Sequence, residues 1–319
     1  MAVAVLLFVL GVLLLWGGSE FITRNISLLA RSLGVKELVI TVLGVSVLSS
    51  LPELTVSLFA VARGQDAVSV GNVIGSNFVT LTFVTAVCAL VRPIDIREEV
   101  QSRESSWMIL SSALVLVLAM DGRLARSEGI VLMLIYVPYV LSVLKTARLD
   151  AESPPAGPMP GSRIRTALLC GLGVFGVIGG SKIALDSGTT LGTAAGISPL
   201  AMGVLLFAFG TSLPELTISL SATFKRKADV TIGEVYASNI FTQLVVLGIC
   251  CLVHPMTVDT GLTSFAMPFL ILAAVVIQIF VTTGRKLSRV EAVGLLGFYA
   301  VFAYSQFRPL PGLESILGF

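Results

Sequence analysis

Charge is scarce in this sequence. Only 13% of its 319 residues are Asp, Glu, Lys or Arg and 55% are hydrophobic, whereas soluble domains carry about 25% charged residues; a water-soluble globule is excluded and the chain reads as a membrane protein. Histidine is nearly absent. The single His254 excludes zinc chemistry of the His-Glu-x-x-His kind, which needs two, and reads as a solvent-facing residue of a short connection. The four cysteines, Cys88, Cys170, Cys250 and Cys251, lie inside apolar stretches without redox or metal-ligand spacing, so they read as small buried side chains. No Ser/His or Cys/His constellation can be assembled, which argues against an intramembrane enzyme. The net charge of +2 is too small and too dispersed for a nucleic-acid partner. No cofactor and no protein partner are expected; the lipid bilayer is the surrounding medium.

Long apolar runs are what the sequence does have. They cover residues 2–19, 37–62, 68–91, 105–120, 127–144, 164–183, 197–224, 230–253, 264–283 and 290–307, and a helical span takes about 20 residues, so ten transmembrane helices are expected. The first run has no Lys or Arg before it and a matching segment recurs later, so it reads as a mature span and not a secretory signal. Residues 146–163 form a linker with the run Ser153-Pro154-Pro155-Ala156-Gly157-Pro158, a flexible composition. Of the 21 Lys and Arg, 16 fall in alternate connections on one side and 5 on the other. By the positive-inside rule the richer side, linker included, is cytoplasmic and both termini are outside. Trp16 and Trp107 fall near span ends and read as interfacial belt residues.

The chain is also duplicated. Ser50-Leu51-Pro52-Glu53-Leu54-Thr55 recurs as Ser212-Leu213-Pro214-Glu215-Leu216-Thr217, a shift of 162 residues that also superimposes Gly17-Gly18-Ser19 on Gly179-Gly180-Ser181, Gly71 on Gly233, Ser76-Asn77 on Ser238-Asn239 and Thr80 on Thr242. Residues 1–145 and 164–319 are thus two repeats of five spans each. An odd number makes the second copy enter the membrane from the opposite side, an inverted repeat of the kind found in transporters. The expected fold is an all-α membrane protein with two inverted five-helix repeats and broken helices at the midplane.

Glu53 and Glu215 stand near the middle of their apolar stretches, where an uncompensated charge costs several kcal/mol or about that order. Pro52 and Pro214 precede them, and a proline within a helix removes a backbone donor, freeing carbonyl oxygens around 46–49 and 208–211. With the hydroxyls of Ser49, Ser50, Thr211 and Ser212, each window offers a carboxylate and neutral hard oxygens. Two windows face to face match the six to eight oxygens that Ca²⁺ takes. Without the ion the two carboxylates repel, so monovalent cations or protons must replace it, which is the requirement for an antiporter. In the following helices, Ser76, Asn77, Ser238 and Asn239 are expected to line the site more than to bond between helices, with Thr80 and Thr242 one turn further on the same face. Glu234 is expected as a solvated carboxylate near a helix N-terminus, where negative charge is favoured, ahead of a place in an inner vestibule where it would attract cations or accept a proton. The pairs Glu20/Arg24 and Lys182/Asp186, each at i, i+4, are expected as interfacial salt bridges.

At these residues the sequence resembles the sodium/calcium exchanger family of the calcium/cation antiporter superfamily, whose inverted repeats carry a Ser-Leu-Pro-Glu-Leu-like motif followed by a Gly-Asn-x-x-Gly-Ser-Asn-like motif. The resemblance implies a prokaryotic-type, plasma-membrane exchanger of Ca²⁺ for Na⁺. It makes Glu53 and Glu215 the shared ligands of both ions, with Ser49 and Thr211 at the calcium position. Ser50 with Ser76 and Ser212 with Ser238 would form flanking Na⁺ positions, helped by the carbonyls of Ser46 and Ala208. Many members carry Asn and Asp where this chain has Thr80 and Thr242, and Glu234 stands where the first repeat has Asn72. These departures leave H⁺ open as the driving ion and another divalent cation open as the cargo. A passive channel is disfavoured, because a compact pair of carboxylates holds Ca²⁺ too firmly for rapid permeation.

Overall fold

An apolar chain in lipid must satisfy its backbone groups internally, and helices do so within each segment. The computed structural model is accordingly mostly helical; it describes residues 1–32, 44–95, 98–149, 163–284 and 286–307. Residues 37–43 of the second apolar run, residues 150–162 of the linker with its proline run, and the last twelve residues lie outside the described ones. The helices are α1 (Ala2–Ser32), α2 (Ser46–Ser49), α3 (Leu51–Ala62), α4 (Asp66–Phe78), α5 (Thr85–Val91), α6 (Glu98–Leu118), α7 (Arg126–Leu149), α8 (Arg163–Ala194), α9 (Pro199–Ala201), α10 (Ala208–Thr211), α11 (Leu213–Phe224), α12 (Ala228–Phe241), α13 (Leu247–Val253), α14 (Met267–Gly284) and α15 (Arg289–Ser305). Short π-helical stretches carry α4 into α5, α9 into α10 and α12 into α13.

Among the described residues, six stretches are helical, apolar and long enough to cross a membrane: Ala2–Asn25, Asp66–Val91, Arg126–Lys145, Leu168–Ala194, Val230–Val253 and Leu262–Phe280. A seventh is the pair Pro199–Thr211 and Leu213–Phe224, bent by 43° at its break. Leu51–Ala62 and Glu104–Leu118 are shorter apolar helices. Several helices outrun the apolar stretch that announced them. α1 reaches Ser32, where the hydropathy ends near residue 19, and α8 reaches Ala194, where it ends near 183. Hydropathy marks the part of a helix that lipid or core covers, whereas the backbone hydrogen-bond ladder continues until a capping or breaking residue stops it.

Element bounds repeat at the 162-residue shift: α2, α3 and α5 land on α10, α11 and α13. The turn after α3 uses Gly64 at φ 68°, and its counterpart after α11 places Arg226 at φ 60°, a left-handed conformation that costs a non-glycine residue about 1–2 kcal/mol. Two minimal antiparallel ribbons each join one half to the other. β1 (Ile94–Asp95) pairs with β4 (Lys286–Leu287), and β2 (Arg123–Leu124) pairs with β3 (Met256–Thr257).

Burial sorts the spans into layers. The windows of Asp66–Val91 and Val230–Val253 are each 83% buried within the molecule, against 17% for Ala2–Asn25, so α4–α5 and α12–α13 form the centre. Outer helices turn Leu6, Leu13, Leu172 and Phe175 outward, as lipid contact requires. Close packing depends on small residues. A Cβ on Gly18 would stand 2.7 Å from the carbonyl of Gly173, and one on Gly180 would stand 2.8 Å from that of Gly11, so α1 and α8 touch backbone to backbone. Likewise Gly75 of α4 lies directly against the backbone of Val204, and Gly203 against Val68.

Some local expectations change. Glu20 bonds Arg24 at 2.5 Å, but Asp186 pairs with Arg63 at the end of α3, not with Lys182, because α3 packs beside α8 and brings a guanidinium across. Trp107 lies inside α6, edge-on to Tyr139, and Trp16 donates to the Thr217 hydroxyl at 2.8 Å. Cys170 is only half-buried, while the other three cysteines are buried.

Gly75 and Gly233 provide a test of this packing, since a Cβ at Gly233 meets nothing within 4 Å. Gly75→Ala should lower the thermal stability of the detergent-purified protein, a destabilisation of about 1–3 kcal/mol as expected for overpacking. Gly233→Ala should leave the melting curve in place.

Candidate ion-binding site

The two Ser-Leu-Pro-Glu segments fold in the same way. Backbone geometry departs from helical at Ser50 (φ −84°, ψ 9°) and Ser212 (φ −81°, ψ 6°), and a new helix starts at the next residue. Each proline thus sits in the first turn of a helix, where its missing N–H is not needed. The chain is broken into two helices instead of kinked. Glu53 and Glu215 consequently occupy first turns, where unpaired N–H groups and the positive helix end favour a carboxylate.

The halves then cross. The Glu53 carboxyl faces Thr211 and Ser212, and that of Glu215 faces Ser49 and Ser50. Ser50 Oγ donates to Glu215 Oε1 at 3.2 Å. The two carboxyls lie within electrostatic range of each other, and both residues are only 1% exposed. Among the described residues, Glu53 Oε2, Glu215 Oε2 and Ser212 Oγ are buried without a hydrogen-bond partner. Unpartnered buried oxygens carry a desolvation cost, and a cation held among them would remove it. Among the described residues no three His, Cys, Asp or Glu side chains are placed to hold one metal ion together. A cation at the carboxylate pair would draw its other ligands from hydroxyl and carbonyl oxygens, the ligand class of hard cations.

The remaining sequence-selected residues divide into groups. Ser46 and Ser49 donate to Glu234 Oε2 and Oε1, both at 2.7 Å. Glu234 is fully buried, contrary to the expectation of a solvated carboxylate: α12 starts at Ala228, nearly two turns earlier, and the Glu234 side chain is directed across to α2. The Ser46 carbonyl accepts the hydroxyls of Ser49 and Ser50 at 3.1 and 2.9 Å. The Ala208 carbonyl accepts Thr211 Oγ1 at 3.3 Å. Leu48, four residues before Pro52, has its carbonyl taken by Ser19 Oγ at 3.0 Å. Ser76 and Ser238 donate to carbonyls of their own helix, Val73 at 3.0 Å and Val235 at 3.2 Å, which leaves oxygen lone pairs to accept.

Thr80 and Thr242 meet the asparagines of the opposite half. Asn77 Nδ2 donates to Thr242 Oγ1 at 2.8 Å, Thr80 Oγ1 donates to Asn239 Oδ1 at 2.5 Å, and Gln243 Nε2 donates to Asn77 Oδ1 at 2.8 Å. For Asn77 and Asn239 the interhelical bonding that the sequence reading ranked second is therefore present: they clasp the two central helices. Asn72 was not selected from the sequence as a site residue. It donates to Ser57 Oγ at 3.0 Å and to the Glu53 carbonyl at 3.4 Å, and accepts from Thr211 at 3.3 Å; its position opposite Glu234 in the duplication was the available signal.

With this geometry in hand, comparison with known proteins is informative. A sequence profile described as "Sodium/calcium exchanger protein" matches residues 3–145 and 166–308, once in each half. Inner membrane protein YrbG of Escherichia coli (strain K12) is 32% identical over 268 residues, covering 81% of this chain and 82% of YrbG. Putative antiporter CaxA of Alkalimonas amylolytica is 31% identical over 322 residues, covering 96% and 99%. The sodium-calcium exchanger NCX_Mj, solved after soaking with Na⁺ and Sr²⁺, matches with a TM-score of 0.72 and 26% identity over 96% of this chain and 99% of that one.

The clasp predicts energetic coupling. Asn77→Ala and Thr242→Ala should each lower the melting temperature, and the double variant should lose less than the sum. The expected coupling is about 0.6–1.7 kcal/mol, the range for side-chain hydrogen bonds between membrane helices. Strict additivity in a double-mutant cycle would contradict the bond.

Proposed function

The chain belongs to the sodium/calcium exchanger protein family, and from that membership and the site geometry we propose that it is a secondary antiporter exchanging Ca²⁺ for Na⁺ across a prokaryotic plasma membrane. Ten spans in two inverted five-helix repeats, with both termini outside, are the architecture of this reading. The observation that carries it is the crossed pair of buried carboxyls, each facing the hydroxyls of the other half.

In this mechanism Glu53 and Glu215 share the divalent ion, and Ser49 and Thr211 supply hydroxyl oxygens at the same position. Ser50 with Ser76 and Ser212 with Ser238 supply the flanking monovalent positions, with the carbonyls of Ser46 and Ala208. Thr80 and Thr242 hold the wall between them. Two ionised carboxylates a short distance apart in a medium of low dielectric repel strongly, so the emptied site is costly. One load must be replaced by another before the site changes sides, and this couples the two fluxes. Inverted repeats supply alternating access, because two equivalent halves can exchange conformations around a fixed site.

A second reading puts H⁺ in place of Na⁺. It is supported by Thr80 and Thr242, which stand where an amide and a carboxylate are usual in the family and whose hydroxyls are engaged in the clasp.

Proteoliposomes test both readings. Vesicles loaded with Na⁺ should accumulate Ca²⁺ from a Na⁺-free medium, and Glu53→Gln and Glu215→Gln should each reduce uptake to the level of empty vesicles. Uptake driven by a pH gradient without Na⁺ would transfer the function to the H⁺ reading. Undiminished transport in the two Gln variants would remove the site assignment. A C-terminal alkaline phosphatase fusion should be active, reporting an external C-terminus.

A further inference from the structure

We propose that Lys225 and Arg226, in the turn after α11, together with Arg24 of α1, bind the phosphodiester headgroup of an anionic phospholipid. The headgroup bridges α1 to α11 as an ion pair bridges α8 to α3 elsewhere in the molecule. The inference does not depend on which ions are exchanged.

The duplication supplies the template. Thr55 of α3 meets Ser181 of α8, and further along the same two helices Arg63 pairs with Asp186. At the 162-residue shift the counterparts of Arg63 and Asp186 are Lys225 and Arg24. α1 packs beside α11, and the Trp16–Thr217 hydrogen bond joins them eight residues before Arg24 and eight before Lys225. A position that carries an acid in one half thus carries a base in the other. Opposite charges close the α8–α3 junction, whereas the α1–α11 junction gathers like ones. Arg24 gives its Nε to Glu20 within α1 and keeps its other guanidinium N–H groups. Lys225 and Arg226 are exposed, and among the described residues no acidic side chain pairs with either. The anion that this junction lacks must come from outside the chain.

Arg226 points to a ligand and not to loose surface charge. Its φ of 60° lies in the left-handed region, and the corresponding turn of the other half uses Gly64, the residue type that adopts such backbone without strain. A strained residue of this kind is kept where its side chain has a use. Lys225 and Arg226 follow directly on the apolar stretch 197–224, on the face that the charge count assigns to the cytoplasm, where anionic headgroups attract basic side chains. Phe224, immediately before them, is exposed and offers an aromatic face to acyl chains beside the headgroup. A free phosphate would engage the cations and leave Phe224 in water; a lipid engages both. The unesterified oxygens of a phosphodiester can accept from more than one basic side chain at once, which ties the end of α11 to α1.

Thermal melting of the full-length protein in dodecyl maltoside micelles doped with phosphatidylglycerol tests this. Phosphatidylglycerol should raise the melting temperature of the parent, whereas phosphatidylcholine or inorganic phosphate at the same concentration should not. Lys225→Gln and Arg226→Gly should each raise the half-saturating phosphatidylglycerol fraction about fivefold, the effect of one cation at an anionic surface. Arg24→Asp, which copies the charge pattern of the α8–α3 junction, should weaken the response at least as much. Without lipid, Arg226→Gly should melt no lower than the parent, because glycine accepts the left-handed backbone. Lys286→Gln removes an exposed cation of β4 and should leave the lipid response unchanged. Equal stabilisation by phosphatidylglycerol and phosphatidylcholine would overturn the proposal, as would a response that survives Lys225→Gln and Arg226→Gly. So would a loss in Lys286→Gln as large as in those variants, since net charge alone would then be read. Stabilisation by inorganic phosphate equal to that by phosphatidylglycerol would overturn the lipid as ligand. For a variant that does not melt cooperatively, native mass spectrometry of retained phosphatidylglycerol gives the same comparison, with fewer bound copies expected than in Lys286→Gln and equal numbers refuting the site. Ca²⁺ transport is read in none of these arms, so the exchange reading stands or falls separately.

Discussion

Desolvation of carboxylates organises this molecule. Glu53, Glu215 and Glu234 are removed from water in a chain whose exterior is apolar, and each would be destabilising unless oxygen donors, helix ends or cations answer its charge. The fold answers in three ways. Breaking the helix at Ser50 and Ser212 places two of the acids in first turns, where backbone dipoles favour them. Crossing the halves brings serine and threonine hydroxyls to each carboxyl. Oε2 of both Glu53 and Glu215 remains unpartnered among the described residues, and in the proposed exchange it is the part left for cargo.

Such a site needs walls that do not yield, and the packing provides them at the backbone level. Glycines of α1 and α8 bring main chains into contact, and Gly75 and Gly203 do the same between α4 and the stretch before α10. Lipid supplies no hydrophobic drive between helices, so close approach and interhelical hydrogen bonds must hold them. The Asn77–Thr242 and Thr80–Asn239 bonds meet that need in the most buried part of the molecule. The two bonds are related by the duplication, so one pair of residue types serves twice.

The apolar stretches, the repeat and the carboxylate pair were legible because each rests on a pattern local in sequence: hydropathy over a span, identity at a fixed shift, an acid where apolar residues surround it. Residues whose role depends on which helix they face were less so. Glu234 lies six residues into α12 and reads like any early-helix acid, and only the approach of α2 turns it inward to Ser46 and Ser49. Asp186 could reach Lys182 one turn away but has Arg63 from another helix instead. Asn77 and Asn239 differ little in sequence from cation-lining amides, and their engagement follows from the crossing of α4 and α12. Helix ends were misjudged for a different reason, since α1 and α8 continue beyond the residues that hydropathy can detect.

Divergence between the halves is concentrated in side chains and leaves the backbone alone. The bounds of α2, α3 and α5 recur at a constant shift in α10, α11 and α13, and even the left-handed turn of Gly64 is retained by Arg226 at a conformational cost. Gly75 has become Ala237, and Asn72 has become Glu234. The first exchange adds a methyl group, and Ala237 is buried within α12. The second is different in kind, because it converts a donor that braces two helices of one half into an acceptor that binds the other half, and leaves Ser219 Oγ unpartnered behind it. A change that removes a local hydrogen bond and leaves a buried hydroxyl unpartnered is destabilising for the fold considered alone. The hydroxyls of Ser46 and Ser49, which donate to both Glu234 oxygens, offset that loss. Conserved backbone with relocated polar contacts is the pattern expected when a duplicated scaffold keeps its geometry while the side chains of its two halves take on different partners.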